Sequence, residues 1–212
     1  MGLLATNNVL KVENLQCIRG ERVLFKNLSF SLASGNILYV EGVNGSGKTT
    51  LLRTLCGLSQ AHEGQINWNS QNIQDLDEDY TGQVLYIGHL AGIKDDLTAV
   101  ENLQFSSALA GIAISKEDAI SALSQIGISR CADLPTRVLS QGQKRRVSLA
   151  RLWLQKNPLW VLDEPFTALD AAAINVLTQH IERFAENGGI AVITTHQEPS
   201  FNPDILERLL LN

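Results

Sequence analysis

The stretch Ile37-Leu38-Tyr39-Val40-Glu41-Gly42-Val43-Asn44-Gly45-Ser46-Gly47-Lys48-Thr49-Thr50-Leu51-Leu52-Arg53-Thr54-Leu55 decides the reading of this chain. Its apolar opening reads as a β strand and its Leu-rich end as a helix. Between them, Gly42 through Thr49 keep the Gly-x-x-x-x-Gly-Lys-Thr spacing of a phosphate loop. The glycines Gly42, Gly45 and Gly47 let successive N–H groups turn inward on one anion. The helix that follows points its positive end at the same place. Val43, Asn44, Ser46 and Thr50 complete the cradle, Lys48 supplies a mobile charge for the β- and γ-phosphates, and the Thr49 hydroxyl can ligate Mg²⁺. A glycine-rich turn with a surface lysine is the bland alternative. The strand before and the helix after it favour a bound nucleoside triphosphate.

Composition narrows the class. With 212 residues, 44% apolar and 18% charged, the chain can build one substantial core and at most two lobes. A net charge of −5 argues against a nucleic-acid binder held by phosphate contacts. Cys17, Cys56 and Cys131 are isolated and not spaced as metal ligands, which suits a reducing compartment. The opening Met1-Gly2-Leu3-Leu4 is too short and lacks the basic start of an export signal. No stretch approaches the ~20 apolar residues of a membrane span, so any work at a membrane requires a partner.

Working outward from the loop, 9–65 reads as short β runs at 9–17, 22–25, 27–32 and 36–41, with Ser34-Gly35 as a hairpin-type turn between the last two. A further strand is expected at 65–68. Thr98 to Glu101 spells a capping box that opens a helix ending near Gly111. Ser115 caps a second helix that stops near Gly127, and a third begins at Ser140. The α/β rhythm then returns with a strand at 159–162, a helix at 170–186 stopped by Gly188-Gly189, and a strand at 190–194. This order implies a mostly parallel sheet with its site at the carboxyl edge, and an α-helical lobe over about 89–156 inserted in a single domain spanning 1–212. That lobe is expected to carry the surface for any such membrane partner, and Phe105, Leu109, Ile112 and Ile114 are the apolar residues to examine for it, although most of them are expected to pack the lobe's core.

Three more segments carry chemistry. In Leu139-Ser140-Gln141-Gly142-Gln143, Ser140 is a good N-cap and Gly142 lets backbone approach a ligand, although plain capping explains the same residues. Leu159-Trp160-Val161-Leu162-Asp163-Glu164-Pro165 is an apolar strand ending in two acids, placing Asp163 to hold a metal shell and Glu164 to polarise a water. Asp170 reads equally as a helix N-cap or a functional acid, and His196 follows the last strand at the same sheet edge.

In this order the segments resemble the ATP-binding-cassette family over nearly the whole chain. GVNGSGKTT is similar to its Walker A loop, LSQGQ to its signature, LWVLDEP to its Walker B strand, Thr167-Ala168-Leu169-Asp170 to its D-loop and His196 to its switch histidine. The resemblance implies a P-loop fold with an N-terminal antiparallel β subdomain, and a homodimer in which each ATP lies between the Walker A loop of one cassette and the signature of the other. Ser140, Gln141, Gly142, Gln143 and Asp170 then serve the partner's nucleotide, Glu164 is the general base, and Mg²⁺ accompanies ATP on Thr49 and Asp163. Two positions depart from the family pattern. Arg19 stands where an aromatic usually stacks on adenine, and a guanidinium plane can replace it. His89 stands where a glutamine usually links the lobes, and its ring nitrogen can replace the amide oxygen. The runs CIRGERVLF, YIGHLAGIKDDLTAVENL and QKRRVSLARLWL are similar to a subfamily that serves the haem exporter of bacterial cytochrome c maturation. That implies a peripheral subunit on the cytoplasmic face of the inner membrane, docked on integral permease subunits. A cassette for another exporter, of lipoproteins or drugs, and a soluble ATPase of the same fold are the competing readings.

Overall fold

The computed structural model describes residues 7–196 and 200–211. The first four residues, read above for an export signal, lie outside the described residues. The chain divides into two compact units, one of Met1–Tyr86, Asn157–Glu164 and Ile181–Asn212, the other of Ile87–Lys156 and Pro165–His180.

The first unit holds two sheets. One is antiparallel, with β1 (Val9–Arg19), β2 (Arg22–Ala33), β4 (Glu63–Trp68) and β5 (Gln71–Asn72) in the order β2-β1-β4-β5. Leu10, Val12, Leu15 and Cys17 of β1 are buried and supply its apolar face. The runs expected at 22–25 and 27–32 form one strand, because Asn27 takes φ 55° and the pairing shifts register there without breaking. Asparagine tolerates that left-handed conformation better than most residues. The hairpin expected at Ser34-Gly35 is not one. β2 pairs with β1, whereas β3 (Ile37–Gly42) joins the other sheet, so this turn hands the chain from sheet to sheet.

The second sheet has the order β6-β7-β8-β3-β9, with β6 (Val84–Ile87), β7 (Leu159–Asp163), β8 (Ile190–Thr194) and β9 (Leu206–Leu211). The β7–β8, β8–β3 and β3–β9 pairs are parallel. Every residue of β7 and β8 is buried, the pattern of strands covered on both faces. Register places Asp163 opposite Thr194 and Thr194 opposite Val40, which brings three strand ends to one edge. Helix α1 (Lys48–Leu55) packs on this sheet through Leu51, Leu52 and Leu55, all fully buried. Each such side chain contributes about 1.5–3 kcal/mol. The single-turn helices α2 (Ile73–Leu76) and α3 (Glu78–Thr81), too short to display a period, were not anticipated, nor were β6 and β9.

The second unit is helical, built on α4 (Ala99–Leu109), α5 (Lys116–Gln125) and α6 (Gln141–Leu149). Val100, Leu103, Leu123 and Val147 centre its core. The start of α7 (Ala171–Glu186) also belongs to this unit. Asn102 is buried in mid-helix, where its amide donates to the carbonyls of Lys94, Leu97 and Thr98 and accepts from Lys94 N, so its polarity is satisfied. Ile114 packs against the core as expected, but Phe105 and Leu109 turn outward with 41% and 75% of their surface exposed.

Candidate active site

The first unit carries the phosphate loop between β3 and α1. Gly47, the residue before α1, has φ 102°, and a Cβ there would lie 3.0 Å from Leu24 Cβ and 3.1 Å from the Phe25 ring. Gly42 has φ 155°, and a Cβ would meet the Leu211 carbonyl at 2.8 Å, a backbone atom that cannot step aside. Glycine is therefore required twice over, by conformation and by space. No side chain caps α1, whereas α4, α5 and α6 each begin with a complete capping box. The amides at the start of α1 are thus left for an anion. Lys48 lies back across the loop, donating to the carbonyls of Gly42 at 2.6 Å and Val43 at 3.3 Å. An ammonium has three donors, so this geometry holds it at the loop mouth with one to spare. Val43, Asn44, Gly45 and Thr49 are exposed, Thr50 is half-buried, and Ser46 is buried with its hydroxyl unpartnered among the described residues.

A chain of hydrogen bonds ties the loop to the acidic strand. Thr49 Oγ1 donates to Asp163 Oδ2 at 2.9 Å, and Thr194 Oγ1 donates to Asp163 Oδ1 at 2.7 Å. Thr194 then accepts from Glu164 N at 3.1 Å through both its hydroxyl and its carbonyl. Glu164 needs that hold, since its φ of 51° is a left-handed conformation that costs a non-glycine residue about 1–3 kcal/mol. Its carboxylate accepts from His196 N at 3.1 Å and faces His196 Nε2 at 3.5 Å. Asp163 is buried, Glu164 nearly so, and His196 is exposed. Thr194 was read from sequence only as a strand end; its hydroxyl bridges both acids.

Beside the loop, a groove of about 370 Å³ runs between the end of β1 and the outer face of α1. Ile18, Arg19, Thr49, Thr50, Arg53 and Gln60 line it, so Arg19 reaches the same groove as the phosphate loop. Arg22, paired with Arg19 across the β1–β2 turn, brings its guanidinium beside Gly45, 4.0 Å from where a Cβ there would stand. Neither Arg22 nor Arg53 was anticipated.

The second unit holds the remaining candidates. Ser140 caps α6, its hydroxyl accepting from Gln143 N at 3.2 Å while the Gln143 side chain accepts from Ser140 N at 2.9 Å. The Ser140 O–H remains available as a donor. Gln141 is exposed, and Gly142 sits against the Ala168 carbonyl, 2.7 Å from where a Cβ would stand. Asp170 caps α7, accepting from Ala173 N at 2.9 Å and from Arg146 Nη2 at 2.5 Å. The amide and the guanidinium, in that order, hold its carboxyl below the usual range. Helix α6 and the loop before α7 are thus joined at two points, one of them through Arg146, which sequence reading passed over. His89 is exposed, and its side chain makes no hydrogen bond or ion pair among the described residues. The carbonyl before it, Gly88 O, accepts from the buried Arg145 at 2.6 Å, which anchors the His89 loop to α6.

The ABC transporter family profile matches residues 25–167. Among curated proteins, the chain is 52% identical over 204 residues to the "Cytochrome c biogenesis ATP-binding export protein CcmA" of Nitrosomonas europaea, covering 96% of each chain. It is 45% identical over 190 residues to the protein of the same name from Vibrio parahaemolyticus, covering 90% of this chain and 93% of that one. Among solved structures it resembles an ABC transporter ATP-binding protein of Pyrococcus furiosus, with TM-score 0.82 and 25% identity over 95% and 97% of the two chains. It also resembles the ATP-binding cassette MJ0796, a dimer in a post-hydrolysis state bound to ADP and Pi, with TM-score 0.78 and 26% identity over 89% of this chain and 88% of that one.

Proposed function

We propose the role of this protein from one premise: the chain belongs to the ABC transporter family. It is an ABC-type ATPase, and its work is to couple conversion of ATP and water to ADP and phosphate to haem export or delivery in cytochrome c biogenesis. The names of its relatives support the pathway. The observation that carries the chemistry is the bonded chain Thr49–Asp163–Thr194–Glu164 beneath the phosphate loop.

In this reading the amides of residues 42–50 and the Lys48 ammonium bind the triphosphate, and Glu164 takes a proton from the attacking water while His196 steadies its carboxylate. The Thr49 hydroxyl and the Asp163 carboxylate are adjacent hard-oxygen donors, a set that fits Mg²⁺. When bound, that ion neutralises charge on the β- and γ-phosphates. Arg19 stacks on the base, and His89 reports the γ-phosphate to the helical unit. Ser140, Gln141, Gly142, Gln143 and Asp170 serve the nucleotide of a second copy. No helix among the described residues is long and apolar enough to cross a membrane. We therefore place the protein peripherally on the cytoplasmic face of the inner membrane, held by integral permease subunits.

The test is genetic and biochemical together. A strain lacking this chain loses covalent c-type cytochromes, read by haem staining of denaturing gels, while cytochromes b persist. Lys48→Ala reproduces that loss with folded protein still at the membrane. Normal c-type cytochromes in the Lys48→Ala strain would overturn the pathway assignment.

A further inference from the structure

We propose that Tyr39 is a positioning residue for ATP hydrolysis: its hydroxyl holds the peptide group that presents a hydrogen-bond donor to the Glu164 carboxylate. This rests on the reading of Glu164 as the general base and names a part of what keeps that base in place.

Bulk alone would explain Tyr39, one of the run that opens β3, but phenylalanine would supply the same bulk. The hydroxyl is put to a further use. It donates to the Thr195 carbonyl at 3.0 Å, joining groups 156 positions apart in the sequence. The next backbone atom past that carbonyl, His196 N, donates to Glu164 Oε2 at 3.1 Å. The two bonds therefore sit on opposite ends of one peptide group, that between Thr195 and His196. A planar trans peptide points its C=O and its N–H in opposed directions, so fixing one end aims the other. Donation to the carbonyl also polarises the amide and strengthens the bond its N–H gives. Thr194 grips the Glu164 backbone, whereas the His196 amide grips its carboxylate, the part that takes the proton.

The phenol is itself held. Tyr39 stands opposite Arg208 in the β3–β9 register, and the guanidinium carbon lies over the ring, 5.4 Å from its centroid. Arg208 is pinned in turn by Glu41, which follows Tyr39 on the same face of β3, with Nη1 2.7 Å from Oε1. Thr195 is buried, which keeps water from standing in for the hydroxyl. All of these groups belong to the first unit, so the device is complete within it.

The experiment compares wild type, Tyr39→Phe and Tyr39→4-aminophenylalanine as purified full chains with ATP and Mg²⁺. Single-turnover phosphate release gives the rate, calorimetry the ATP Kd, and urea unfolding verifies the fold. Tyr39→Phe is expected to slow hydrolysis about tenfold with Kd within about twofold of wild type, the pattern of lost positioning instead of lost binding. The 4-amino group returns an N–H donor to the same place and is expected to recover most of the rate. In a Glu164→Ala background, followed over hours, Tyr39→Phe is expected to change the residual rate by less than about twofold, since no carboxylate remains to be positioned. A Tyr39→Phe protein that hydrolyses ATP at the wild-type rate overturns the inference, whatever its urea midpoint. So does a loss that is equal in both backgrounds, or one that the 4-amino group leaves uncorrected, since either assigns Tyr39 to packing. Those outcomes leave the ATPase reading intact; wild-type turnover in Glu164→Gln would overturn the base reading, and this inference with it.

Discussion

Thr194 has one hydroxyl and uses it twice, donating to Asp163 and accepting from the backbone of Glu164. Its side chain is fully buried, so no water replaces it when it is removed. Thr194→Val keeps the shape and deletes only the oxygen. Asp163 then loses one donor in a low-dielectric setting, at a cost of about 1–3 kcal/mol in stability measured by urea unfolding. Glu164 keeps the Thr194 carbonyl as partner, but its left-handed backbone is held less firmly, and ATP turnover falls at least about tenfold. Thr194→Ser restores both bonds and most of the activity; a Val variant with wild-type phosphate release would deny the hydroxyl any positioning role. Glu164→Gln separates binding from chemistry more sharply. The amide is nearly isosteric and cannot take a proton, so ATP affinity measured by calorimetry survives while turnover drops about 10²–10⁴-fold.

At the scale of elements, local signals in the sequence were legible because their physics is local. The boxes at Thr98–Glu101, Ser115–Asp118 and Ser140–Gln143 each close over four residues, and α4, α5 and α6 start where those residues stand. The β3–loop–α1 passage and the two wholly apolar strands were readable for the same reason. What escaped depends on residues distant along the chain. Ser34-Gly35 resembles any hairpin turn until β3 is seen beside β8 and β9, whose residues lie more than 140 positions on. The Arg146–Asp170 pair, the Thr194 bridge and the convergence of Arg19 with Arg53 likewise arise only once elements meet. The caps give a direct stability test. Thr98→Ala removes the acceptor for Glu101 N and costs about 1 kcal/mol of stability, read as a lower urea midpoint. Acid weakens the same device. Thr98 N–H, then its hydroxyl, holds the Glu101 carboxyl below its ordinary value, and Ser115 does the same for Asp118. A depressed folded pKa means the contribution is complete above the ordinary carboxylate range, near pH 4, and is lost as pH falls through the depressed value. Glu101→Ala is therefore expected to destabilise clearly at pH 7, and the gap between mutant and wild type narrows on titration below about pH 4. A gap constant with pH would show that Glu101 acts through packing instead of charge.

For the whole molecule, the proposed function raises the question of why one chain would carry both halves of a nucleotide site. The phosphate loop, Asp163 and Glu164 stand in the first unit, and Ser140 and Gly142 in the second. In the head-to-tail pair proposed above, each half would meet the complementary half of the other copy, so that ATP would close the dimer and hydrolysis would open it. The state of Ser140 suits this role. Its hydroxyl oxygen is engaged by Gln143 N, but its proton is free to be donated to a phosphate at the positive end of α6. With Glu164→Gln blocking turnover, ATP and Mg²⁺ are expected to double the 23.2 kDa mass seen by light scattering, and ADP to leave it unchanged. Ser140→Asp in that background distinguishes ligand contact from capping. Aspartate caps a helix as well as serine does, so α6 and the fold persist, but its charge repels the triphosphate of the facing copy. The ATP-dependent dimer is then expected to weaken at least about tenfold, the scale of one lost charge-assisted hydrogen bond. A double variant that dimerises as readily as Glu164→Gln alone would remove Ser140 from the interface. A Glu164→Gln protein that binds ATP yet stays monomeric at high concentration would mean that closure requires the membrane subunits as well.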